Sequence, residues 1–97
     1  MNYDFREAAL YERSVDLTEY VLKSYNDVTL IKHAVSVLRC ATRALTTQNM
    51  KVKYKKLNEL KHYLEQLDSQ HDDDLENLKS HVIKLTNAHF RKQTDAA

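Results

Sequence analysis

Ninety-seven residues pass without one glycine or one proline. That absence constrains the fold more than any motif does. Two-residue hairpin turns need positive φ, which glycine adopts at least cost, and phosphate-cradling loops are built on glycine. What remains open to such a chain is helices joined by short polar corners. Its 30% charged and 42% hydrophobic residues suit a folded chain rather than a disordered one, and its length suits a single modest core.

Apolar periodicity divides the chain into four amphipathic segments, expected as helices over 4–24, 28–45, 50–67 and 74–92. In the first, Leu10, Leu17 and Val21 form one stripe and Tyr11, Val15 and Leu22 a second beside it. Ser14 and Thr18 fall between them, where small hydroxyls bond back to the helix. The second segment is the most apolar. Ile31, Ala34, Val35, Leu38, Ala41 and Leu45 keep one helical face, and Leu30, Val37, Cys40 and Ala44 widen it to about two-thirds of the circumference. A narrow polar stripe of Lys32, Ser36, Arg39 and Arg43 is left over. The third segment aligns Met50, Tyr54, Leu57, Leu60, Leu64 and Leu67. The fourth aligns Leu75, Leu78, Val82 and Leu85, continued by His89 and widened by Ile83 and Phe90.

The corners carry capping residues. Asn26 or Asp27 suits the start of the second helix, and Asp73 with Glu76 fits a capping box at the start of the fourth. Arg91 and Lys92 suit the last turn, and the tail QTDAA is expected to fray. Corners this short make consecutive helices antiparallel neighbours. The expected fold is all-α, an antiparallel up-down four-helix bundle forming one domain over 1–97.

Little in the sequence points to catalysis. The lysines of 43-RALTTQNMKVKYKKLNELKHYLEQL-67 scatter around their helix between Glu59 and Glu65 and read as a solvated face. A formal net charge of +1 provides no global field to draw in nucleic acid. Glu59 and His62 match one Glu-x-x-His element of a di-iron bundle, but the second element is missing. His33 lacks the small glycine that accompanies a phosphotransfer histidine, and Cys40 reads as a buried thiol. No nucleophile with a base and an orienting group is legible, so the expectation is no enzyme, no cofactor and no metal. A lone cysteine, no signal-peptide core in MNYDFREAALYERS and no apolar run of about 20 residues suggest a cytoplasmic protein off the membrane.

The stretch 38-LRCATRALTTQNMKVKYKKLNELKHYLEQL-67 resembles the flagellin export chaperone family. There an apolar helix ends in an alanine-rich turn, and a polar corner leads into a Lys- and Asn-rich helix opened by Met or Ile. The tail 78-LKSHVIKLTNAHFRKQT-94 is similar to that family's following helix, and 11-YERSV-15 to its N-terminal tyrosine and valine. Where the family has a proline-bearing element before its second helix, 16-DLTEY-20 stands here. The resemblance implies a cytoplasmic bundle that holds the disordered end of flagellin along apolar grooves, with Tyr11 and Val15 as the residues carried over.

From the residues themselves, the expected activity is helix-in-groove binding of a protein partner. Leu30, Val37, Ile83 and Phe90 are the expected surplus apolar surface, with Tyr11 and Val15 as further contacts; the companion reading is that the first four close the bundle or a homodimer interface. The alternative is a small regulator, or a phage- or plasmid-encoded inhibitor, contacting nucleic acid or a protein through Lys32, Arg39 and Arg43. Nucleic acid is the less favoured ligand.

Overall fold

A computed structural model describes residues 5–69 and 71–96, with side chains over 7–69 and 71–90. Four helices follow in order: α1 (Phe5–Ser24), α2 (Val28–Thr46), α3 (Met50–Gln66) and α4 (Asp73–Ala96). No strand occurs among the described residues. Asp4, expected to open α1, and the side chains of Arg91 and Lys92 lie outside the described residues. The backbone of α4 continues to Ala96, beyond the end expected near Lys92.

The corners show how the chain turns without glycine. After α2 and after α3 the chain leaves the helix directly into extended backbone with negative φ, −80° at Thr47 and −72° at Leu67. The next helix is then opened by one side-chain oxygen. Asp27 Oδ1 accepts from the backbone of Thr29 at 2.9 Å and Leu30 at 3.3 Å. Asn49 Oδ1 accepts from Lys51 at 3.0 Å and Val52 at 3.3 Å. At α4 the role falls to Asp72, whose Oδ1 accepts from Leu75 N at 3.1 Å. That corrects the expected box by one residue: Asp73 is already helical, and Glu76 instead accepts from the Ser69 hydroxyl. Each cap satisfies backbone donors that a helix start leaves without partners.

Each helix packs on two others. α2 lies closely against α1 and α3, α1 against α4, and α3 meets α4 more lightly. The core is Leu10, Leu17 and Val21 of α1, Leu57, Leu60 and Leu64 of α3, Leu75 and Val82 of α4, and a row of mostly small side chains from α2. That row is Ala34, Val37, Ala41 and Ala44, all fully buried, with Leu30 and Cys40 nearly so. Small residues let the α2 backbone approach both neighbours, which explains why α2 makes the closest pairings. Thr18 is buried at the α1/α2 contact. Its hydroxyl donates to Ser14 O in its own helix at 2.9 Å, and Ala34 O of α2 lies within reach at 3.2 Å.

This packing corrects the reading of α2. Leu30 and Val37, expected as surplus surface, belong to the core. The helix buries its small-residue side and leaves Val35 and Leu38, expected inside, only half-buried. Ile83 and Phe90 are half-buried against the core, and Phe90 packs on Tyr54 of α3 with ring centroids 5.6 Å apart. Phe90 and Tyr54 thus bridge α3 and α4, the pair that meets more lightly.

Polar groups tie both ends of the bundle. At one end Lys53 of α3 reaches Glu7 of α1 at 3.4 Å. At the other, Asp72 Oδ2 accepts from Tyr20 at 2.7 Å and from Tyr25 at 2.5 Å, joining the first corner to the last.

Candidate partner-binding face

Going around α1 in steps of about 100°, the buried row of Leu10, Leu17 and Val21 is followed by Thr18, which meets α2. Beyond Thr18 come Tyr11, Leu22 and Val15, and then the carboxylates Glu19 and Glu12. On α2 the buried alanines are followed by Leu45, Leu38 and Ile31, then Val35 and Val28, and then Arg39, Lys32 and Arg43. The other side of α2 belongs to α3, where His33 packs on Tyr63 at 6.2 Å and Cys40 shares a hollow with Lys56 and Glu59. The two apolar flanks therefore lie side by side on the outer face of the α1/α2 pair.

This strip is open. Among the described residues four large hydrophobic side chains are exposed, and three belong to it: Tyr11 at 46%, Leu22 at 53% and Val28 at 65%. The fourth, Met50, opens α3. Val15, Ile31, Val35, Leu38 and Leu45 are half-buried between them, with Ile31 and Leu45 packed against the core. A shallow hollow on its α2 side is lined by Val35, Leu38, Thr42, Thr46, Arg39 and Arg43, so apolar floor and basic rim adjoin. No ion pair among the described residues uses Lys32, Arg39 or Arg43. On the opposite rim Glu19 has none either, and Glu12 reaches only Arg13, at 3.7 Å.

Of the residues singled out from sequence, the structure gathers Tyr11, Val15, Lys32, Arg39 and Arg43 onto this face. It puts Leu30 and Val37 in the core, Ile83 half-buried against the core, and Phe90 against Tyr54 of α3. Sequence reasoning did not assign Leu22, Val28, Val35 and Leu38 to the face. Apolar periodicity alone could not single them out, because α2 is apolar over most of its circumference.

The other polar sites have structural explanations. The hollow formed by Tyr25, His71, Asp72, Asp73 and Asp74 is built around the Asp72 clasp. The hydroxyls of Tyr25 and Tyr20, together with the α4 backbone, hold the Asp72 carboxyl below its ordinary value. The same hydrogen bonds push Tyr25 up to about 12 and raise Tyr20. Burial, and then Glu59, raises the Cys40 thiol, which disfavours the nucleophilic thiolate. His62 is exposed and bonded to Gln66, while Glu59 pairs with Lys56 at 2.9 Å. No three His, Cys, Asp or Glu side chains converge on a metal-sized site among the described residues. No helix there is long and apolar enough to cross a membrane.

No family model, curated protein or solved structure matches this chain.

Proposed function

We propose that the chain is a non-enzymatic, protein-binding helical bundle that receives a helical segment of its partner on the outer α1/α2 face. The observation that carries this reading is an apolar strip, exposed at Tyr11, Leu22 and Val28 and half-buried at Val35 and Leu38, between an acidic and a basic rim. An amphipathic helix laid along it would bury its own apolar side and meet charge on both flanks. The resemblance to flagellin export chaperones makes a cytoplasmic role in holding a secretion substrate the first case to try.

The test is calorimetric titration with the disordered end of flagellin, for the wild type and for Leu22→Glu. Position 22 is exposed, so the substitution leaves the core intact. The reading expects binding that weakens only modestly with salt, through the screened rim charges, and is lost in the variant. Binding unaffected by Leu22→Glu would remove the face from consideration.

The free cations of the α2 rim favour a second reading, a small regulator or inhibitor that contacts nucleic acid or an acidic protein through Lys32, Arg39 and Arg43. Its signature is affinity that falls steeply with salt and is lost when Arg39 and Arg43 are reversed together.

A further inference from the structure

The rims of the α1/α2 face differ in sign, and their heights along the bundle match. Thr18 stands level with Ala34 where the two helices touch. Because α1 and α2 are antiparallel, Glu12 is then level with Cys40, next to Arg39, and Glu19 is level with His33, next to Lys32. Within one copy these charges lie on opposite outer edges of the face and do not meet. A two-fold axis parallel to the helices keeps every height and lays α1 of one copy over α2 of the other, acidic rim on basic rim.

We infer that a second copy of this chain covers the face. Resting on the reading of the strip as a docking surface, this inference names the occupant when no other partner is present. Glu12 meets Arg39 of the partner subunit, and Glu19 meets Lys32 of the partner subunit. Each contact occurs twice, as an isologous interface requires. Between the rims Tyr11, Val15 and Leu22 lie on the opposing Val28, Val35 and Leu38. The size is adequate: nineteen residues of α2 span about 28 Å at ~1.5 Å per residue. Two helices side by side are about 20 Å wide, so the corrugated face approaches the ~800 Å² per partner of a stable dimer.

The experiment is sedimentation equilibrium of the full chain over a wide concentration range, with two charge-reversed variants. One carries Glu12→Lys with Glu19→Lys, the other Lys32→Glu with Arg39→Glu. All four positions are exposed, and circular dichroism checks that both variants stay helical. The expected result is a wild-type dimer, with self-association weakened at least tenfold in each variant, because every rim contact becomes like-charged. An equimolar mixture of the two should form a heterodimer, since every contact is then opposite in sign. A wild type that stays monomeric throughout overturns the inference. So does a dimer that survives both reversals, or a mixture that fails to pair. Retained flagellin-segment binding that Leu22→Glu abolishes would in those cases show that the docking reading stands and only the second copy is wrong.

Discussion

Val35 and Val37 stand two residues apart on α2 and face opposite environments, so replacing each with alanine tests which side of the helix is spare. Val37 has no exposed surface. Truncation removes two buried groups at about 0.8 kcal/mol each, and incomplete collapse of the cavity brings the cost to about 2–2.5 kcal/mol. The better helix propensity of alanine offsets about 0.5 kcal/mol, leaving a net loss of about 1.5–2 kcal/mol. At 4–8 °C per kcal/mol for a domain of this size, the melting temperature falls by roughly 6–16 °C. Val35 is only half-buried and lies outside the core cluster. It gives up a smaller transfer energy and leaves no sealed cavity, so the propensity gain cancels the loss to within about 0.5 kcal/mol. Thermal unfolding followed by circular dichroism at high dilution, where any self-association makes no contribution, gives both values. Equal losses, or a larger one for Val35→Ala, would mean that α2 turns its other side inward and that the α1/α2 face does not exist.

The clasp makes a prediction in pH. Asp72 has a lowered folded-state pKa, so its contribution is intact above the ordinary carboxylate value and is lost as pH falls through the folded value. Tyr20 and Tyr25 have raised values, so theirs is intact below about 10 and is lost as pH rises, for Tyr25 toward about 12. Melting temperature against pH should show both limbs, and Asp72→Asn should flatten both; an unchanged profile would exclude the clasp. Asn49→Ala removes the α3 cap and should cost about 1 kcal/mol in denaturant unfolding, whereas loss of less than about 0.3 kcal/mol would mean that the cap is not formed. Ala41→Leu should push α2 away from its neighbours and destabilise by about 1–3 kcal/mol; a neutral result would contradict the close approach of that helix.

The helix pattern was legible because local rules and packing agree. Polar corners and four apolar stripes place the elements to within a residue or two at most boundaries, although the α4 cap is Asp72 and not the expected Asp73. The choice of face on α2 was not legible. With apolar side chains around most of that helix, periodicity gives the width of the stripe but not its centre. The centre follows from the small size of Ala34, Ala41 and Ala44, which lets two neighbouring helices approach. The clasp was equally hidden, since Tyr20 and Tyr25 bond a carboxylate about fifty residues away and no local pattern links them. On α1, by contrast, two stripes were legible with Ser14 and Thr18 between them, and the structure buries Leu10, Leu17 and Val21 of the first while leaving Tyr11 and Leu22 of the second exposed.

The last helix leans on the first more than on its sequence neighbour. Neither half of the chain is therefore complete alone: the α3–α4 hairpin lacks the surface that α4 needs, and that surface lies at the far end of the sequence. Melting should be all-or-none, and amide hydrogen exchange in α4 should slow and quicken with that of α1 rather than with that of α3.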